Sequence, residues 1–200
     1  MRSEFGSESV SATKAELRAA VIARRRAVPA RVRDAEARAL TGHMVGLGNA
    51  GQIVCAYVPV GSEPGSLDML DVLVADGVQV LLPVVDGDGP LRWGAYVPGE
   101  LVAARFGLLE PAGPTQPVEA VADAATVLVP ALAVDRSGVR LGRGAGFYDR
   151  SLPMASANAR LIAVVRDDEL VDELPAEPHD VPMTHVLTPG GGLVAVGTGE

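Results

Sequence analysis

The sequence predicts an α/β domain built on a mostly parallel sheet, and three observations carry that expectation. Short runs rich in Val, Leu and Ile alternate with segments of helical periodicity, which is the order of strand, crossover helix and strand. The strand candidates are near-continuously apolar, as strands covered on both faces are. With 48% hydrophobic residues in 200, the chain can bury a full core as one domain, and no apolar stretch approaches the roughly 18 residues a bilayer span needs.

Each element follows from local pattern. Residues 13–28 predict a helix: Thr13 and Glu16 have capping-box spacing, Leu17 and Val21 share a face, and Pro29 lies just beyond. A second helix is expected over 30–47 and a buried strand over 52–60, which runs into the loop Gly61-Ser62-Glu63-Pro64-Gly65. Leu67, Leu70 and Val74 mark a crossover helix over 66–76, and the next strand covers 78–85. A turn at 86–90 returns a strand over 91–97, whose Trp93 either fills core or stacks on a planar ligand. Residues 111–123, rich in Pro and Ala, read as a surface loop before a central strand over 126–134. A short helix over 147–153, a parallel strand over 160–165, a rigid loop at 177–182 and a last strand over 184–188 complete the series. Residues 13–200 thus form one domain, preceded by a flexible polar segment, 1–12, either frayed or added.

Charge and cysteine usage exclude several functions. The formal net charge of -8 argues against a nucleic-acid footprint. Cys55 is the sole cysteine, so there is no disulfide framework, and a reducing cytoplasm is the expected compartment. The opening residues lack the apolar segment of a signal peptide. The spacing of His43, His179 and His185 suggests no zinc site. No obligate protein partner is evident, so small molecules are the expected ligands.

The chemistry is expected in the string Arg140-Leu141-Gly142-Arg143-Gly144-Ala145-Gly146-Phe147-Tyr148-Asp149-Arg150, which follows the central strand. Alternating glycines let backbone N–H groups turn into one concavity that a phosphate can approach without Cβ interference. Arginine brings fixed charge to the same loop, and Asp149 is a hard oxygen ligand of the kind Mg²⁺ prefers. Together they suggest a metal-nucleotide site. Lys14 and Arg18, four residues apart on the first helix, either reach jointly for an anion or belong to a solvated basic face continuing into Arg24, Arg25 and Arg26. Glu63 lies at a strand's carboxyl end, where open α/β sheets bind ligands, though an isolated loop carboxylate also serves as plain surface.

Residues 129–150 as a whole resemble the signature of the 5-formyltetrahydrofolate cyclo-ligases, also called methenyltetrahydrofolate synthetases. The resemblance covers most of the chain: Lys-x-x-x-Arg at Lys14 and Arg18, the Glu63 loop, Gly-Leu-Leu-Glu-Pro ending at Pro111, and His179-Asp180 before Val186-Leu187-Thr188. It implies a three-layer α/β/α fold with one open sheet, and an enzyme of one-carbon metabolism that uses ATP and Mg²⁺ to convert 5-formyltetrahydrofolate to 5,10-methenyltetrahydrofolate, releasing ADP and phosphate.

Carried over by position, the resemblance implies that Lys14, Arg18 and the stretch Arg140 to Tyr148 bind ATP, with Lys14 and Arg143 catalytic. Glu63 and the stretch Arg143 to Phe147 meet the folate, and Asp149 and Asp180 hold Mg²⁺. Two departures stand out: Phe147 replaces a common tyrosine, and Ala145 stands where the family often has Gly or Lys. The implied chemistry accounts for the residue types. A formyl amide oxygen leaves poorly, so it is phosphorylated, N10 attacks the iminium-like phosphate, and phosphate departs with that oxygen. Such a reaction needs positioning and charge neutralisation, not a nucleophilic Ser or Cys. Against this stand a non-catalytic nucleotide- or folate-binding paralogue, a dinucleotide oxidoreductase, which would need glycine where Phe147 is, and an isomerase or transferase, for which no distinct residue set is present.

Overall fold

A computed structural model describes residues 13–197 of the chain. The expected flexible segment, 1–12, lies outside the described residues. Helix α1 (Lys14–Ala27) opens on the predicted capping box: Thr13 Oγ1 accepts the Glu16 N–H at 3.3 Å, and Glu16 Oε2 accepts the Thr13 N–H at 2.8 Å. Pro29, which cannot continue α1, instead caps α2 (Ala30–Gly42), and this helix ends five residues before the expected limit.

After them come β1 (Ile53–Cys55), α3 (Asp68–Ala75), β2 (Gln79–Val84), β3 (Arg92–Ala95), β4 (Leu101–Ala103), β5 (Leu109–Pro111) and β6 (Thr115–Gln116). The second half holds β7 (Ala124–Pro130), β8 (Ala133–Asp135), β9 (Arg140–Leu141), α4 (Phe147–Ser151), β10 (Arg160–Val164), β11 (Leu170–Val171), β12 (His185–Thr188) and β13 (Gly192–Ala195). The main sheet runs β13-β12-β10-β7-β1-β2-β3-β6. From β12 to β2 every pairing is parallel; β13, β3 and β6 add antiparallel edges. The predicted mostly parallel α/β sheet is therefore present.

Alternate residues of the parallel strands enter different cores, which is why these segments read as continuous apolar runs. Val54, Val80, Leu128, Ile162 and Leu187 pack with Leu40 and Met44 of the α2 region and with Met69, Leu70 and Leu73 of α3. Cys55, Leu81, Val127, Val129, Leu161 and Val186 pack on the other face with Trp93, Val121, Leu152 and Met183, flanked by Phe147 and Tyr148 of α4. Fully burying one such aliphatic side chain is worth about 1.5–3 kcal/mol. Trp93, 1% exposed, fills core rather than stacking in a cleft.

The expected central strand over 126–134 divides in two. Pro130 ends the ladder of β7 with β10, since it has no N–H to continue pairing, and the Leu132 N–H turns to the Leu141 carbonyl at 2.8 Å. β8 then joins a small sheet, β11-β8-β9, standing off the main one. Val21 of α1 packs on it against Leu132, Ala133 and Leu141. This displacement aims the glycine loop, which leaves β9, across the carboxyl ends of the main strands. Other differences follow from short elements. The strand expected over 52–60 is confined to Ile53–Cys55, the supposed surface loop contains a 3₁₀ turn, Val118–Asp123, with Val121 fully buried, and β13 follows the strand expected to be last.

Candidate active site

A cleft of about 340 Å³ opens at the carboxyl ends of β1, β2 and β7. Its walls come from Tyr57, Val58 and Glu63 after β1, Pro83 and Val85 at the end of β2, Leu108 and Leu109 at the start of β5, Pro130 and Ala131 after β7, and residues from Arg140 to Asp149. Apolar walls with a few converging polar groups are the usual character of a small-molecule site.

The glycine loop has the conformation its composition implies. Gly144 and Gly146 have φ of +96° and +72°, a region other residues rarely adopt, and a Cβ on Gly142 would stand 2.7 Å from Arg140 Nη1. Ala145, the non-glycine between them, is exposed, so its Cβ costs no packing. Phe147 begins α4 and lies 5.2 Å below the Arg150 guanidinium.

Cations gather at this loop from α1, from the loop itself and from Arg150, which donates to the Ala145 carbonyl at 3.1 Å. Arg18 of α1 donates from Nε to the Gly142 carbonyl at 2.9 Å, which ties the helix to the loop. One turn earlier, Lys14 Nζ lies 2.8 Å from Glu177 and 2.9 Å from Asp180. Arg140, with 7% of its side chain exposed, pairs with Asp149 at 2.5 Å and lies 5.7 Å from the Tyr148 ring centre. Arg143 reaches across the cleft to Glu63, its Nε 2.9 Å from Oε1. Lys14 and Arg18 therefore belong to this region rather than to a solvated face.

The charges are consistent with these pairs. Burial alone would lower the Lys14 pKa, but its bonds to Glu177 and Asp180 outweigh that and raise it above 10.5. Burial would raise Asp180, yet the Lys14 ammonium and the Glu177 N–H hold it below its ordinary value. Cys55, in the core beneath the cleft, is pushed up to about 12 by burial, so it supplies no thiolate at neutral pH. Burial, reinforced by the Glu63 charge, keeps the Tyr148 phenol protonated; its oxygen is buried and has no hydrogen-bond partner among the described residues.

The predicted metal pair is divided between two cations: Asp149 faces Arg140, and Asp180 faces Lys14. Glu177, His179 and Asp180 bring ligand atoms within 4.8 Å of one another, a grouping that histidine spacing alone did not reveal, and Asp149 is not part of it. Sequence reasoning also missed Arg25, which is 1% exposed and bonded to Glu169 and to the carbonyl of Ala131 in the cleft wall. A signal was present, because Arg25 continues the spacing of four from Leu17 and Val21 that marks the buried face. Leu108 and Leu109 lie in the Gly-Leu-Leu-Glu-Pro string that the resemblance covers, but no role was read there; they join the cleft through a hairpin of two three-residue strands.

Residues 10–189 match the model of the 5-formyltetrahydrofolate cyclo-ligase family. A Mycolicibacterium smegmatis protein named 5-formyltetrahydrofolate cyclo-ligase is 61% identical over 189 residues, covering 92% of this chain and 97% of the relative. An Escherichia coli protein of the same name is 31% identical over 140 residues, covering 68% and 77%. The solution structure of Aquifex aeolicus 5,10-methenyltetrahydrofolate synthetase superposes with a TM-score of 0.74 at 25% identity, covering 94% of each chain.

Proposed function

The chain belongs to the 5-formyltetrahydrofolate cyclo-ligase family, and on that premise we propose that its cleft performs the ATP- and Mg²⁺-dependent closure of 5-formyltetrahydrofolate to 5,10-methenyltetrahydrofolate, with ADP and phosphate as the other products. The observation that carries this reading is the meeting of Glu63 and Arg143, 2.9 Å apart across one cleft. Glu63 would take hydrogen-bond donors of the folate, and Arg143 oxygens of the triphosphate, so the two reacting groups would be held side by side.

The residues suit a metal-bound triphosphate. Asp149 and Asp180 are hard oxygen ligands whose charge is at present balanced by Arg140 and Lys14. A ligand bringing both anionic oxygens and a divalent cation lets each carboxylate exchange its cation for the metal, and each cation its carboxylate for phosphate, without leaving a bare charge. When bound, Mg²⁺ supplies charge neutralisation at the phosphate oxygens. Lys14 and Arg18 hold the phosphates beside the loop running from Arg140 through Leu141, Gly142, Gly144, Ala145, Gly146 and Phe147 to Tyr148, and Arg143 stabilises charge developing on the group in flight. Arg143 to Phe147 also form the wall that the folate faces.

No protein nucleophile is needed, and the nearby candidates are engaged otherwise. Ser151 Oγ accepts the Leu91 N–H at 2.8 Å and donates to the Phe147 carbonyl at 2.7 Å, fixing α4 to β3's approach, while Cys55 is held as a thiol. Direct attack of the formyl oxygen on the phosphoryl group is the route these residues favour. No helix among the described residues is long and apolar enough to cross a membrane. The test is to mix the protein with 5-formyltetrahydrofolate, ATP and Mg²⁺ and follow the methenyl chromophore. Formation that stops when ATP is withheld supports the reading; none in the complete mixture makes the protein a binding paralogue.

A further inference from the structure

Glu63 and Arg143 come from opposite walls of the cleft and are bonded to one another. Glu63 Oε2 accepts the Val60 N–H at 3.0 Å, and Oε1 accepts from Arg143 Nε at 2.9 Å. Only 8% of the Glu63 side chain is exposed, against 49% for Arg143. The carboxylate is thus fixed in the wall, and the arginine is the half that can swing away.

We infer that this ion pair is a latch between the two halves of the cleft: drawing Arg143 onto the phosphates of a nucleotide frees Glu63 for donors of the second substrate, so the two ligands bind with positive coupling. The inference rests on the reading that the glycine loop takes phosphates and Glu63 takes the folate. Whichever ligand arrives first must break the pair. If that ligand is the nucleotide, Glu63 retains the Val60 N–H on one oxygen and faces the cleft with the other, a costly state for a carboxylate so little exposed. The second ligand then finds the pair already open and supplies the missing donor. By linkage, each ligand tightens the other by the same factor. A half-exposed ion pair limits that factor to about three- to fivefold.

Calorimetric titration with Mg²⁺ and a non-hydrolysable ATP analogue tests the latch in four proteins: the parent, Glu63→Gln, Arg143→Ala and the double variant. Glutamine keeps an oxygen for the Val60 N–H, so the loop has its anchor, and a melting curve checks each fold. Glu63→Gln should tighten nucleotide binding about three- to fivefold and bring no gain on the Arg143→Ala background. In the parent, saturating 5-formyltetrahydrofolate should raise nucleotide affinity by a similar factor, a measurement that needs no variant. Unchanged or weaker binding by Glu63→Gln, an equal gain without Arg143, or independence of the two ligands in the parent overturns the latch while leaving the nucleotide site standing. A parent that binds no nucleotide overturns the reading beneath it, and the latch with it.

Discussion

Glu169→Gln is expected to destabilise the protein far more than any single change in the cleft. Arg25 and Glu169 are 1% and 2% exposed, and they meet through two bonds of 2.7 Å, Nε to Oε1 and Nη2 to Oε2. Nη2 also donates to the Ala131 carbonyl at 2.7 Å, and Glu169 Oε2 accepts the Arg166 N–H at 2.8 Å. The pair therefore pins α1, which carries Lys14 and Arg18, to the turn after β10 and to the cleft wall. Among the described residues Arg25 Nη1 has no partner, so the guanidinium has nothing in reserve if the carboxylate loses its charge. Leaving one charge of a buried pair uncompensated costs about 3–5 kcal/mol. At roughly 2–4 °C per kcal/mol for a domain of this size, the melting temperature should fall by about 6–20 °C. Replacing both residues with methionine should recover most of that, because the cost of desolvating two ions disappears with them. Scanning calorimetry of the three proteins decides the matter. A fall of less than about 3 °C for Glu169→Gln would refute the assignment of Arg25 as the pin of α1.

Arg143→Ala should lower kcat by about 10² to 10³, or ~2.7–4 kcal/mol of transition-state stabilisation, with little change in melting temperature because the side chain is 49% exposed; a single-turnover rate within twofold of the parent removes it from the mechanism. Asp149→Asn should reduce turnover by about tenfold or more and displace the Mg²⁺ titration to higher concentration, and an identical metal dependence would exclude Asp149 as a ligand. The Lys14–Asp180 pair should give pH-dependent stability. Asp180 is depressed below its ordinary value of 3.8, so its contribution is present above that pH and lost as pH falls through the folded value; Lys14 is raised above 10.5, so its contribution is lost only as pH rises through the folded value. The melting difference between the parent and Asp180→Asn should accordingly be constant near neutrality and vanish in acid, and a difference that grows in acid would reverse the sign argued here.

Features set by consecutive residues were legible in the sequence. The Thr13–Glu16 capping box, the apolar runs of the parallel strands and the left-handed glycines of the loop all depend on local chemistry, and all stand in the structure. Features set by distant partners were not. Arg25 read as part of a basic face because its carboxylate lies 144 residues away, and Asp149 and Asp180 read as two free ligands because their cations, Arg140 and Lys14, were assigned to phosphate. Strands of two to four residues, such as β9 and β13, are too short for a periodic pattern, so the small sheet that aims the glycine loop was hidden within an apparently continuous run. Pro130 was the available clue to that break.

The fate of the formyl oxygen tests the proposed chemistry most directly. Substrate labelled with ¹⁸O in the formyl group is turned over with ATP and Mg²⁺ in unlabelled water, and the released phosphate is examined by ³¹P NMR for the isotope shift. Phosphorylation of the formyl oxygen in this cleft predicts one labelled oxygen in every phosphate produced by ring closure. Unlabelled phosphate, with the ¹⁸O recovered in water, would contradict it.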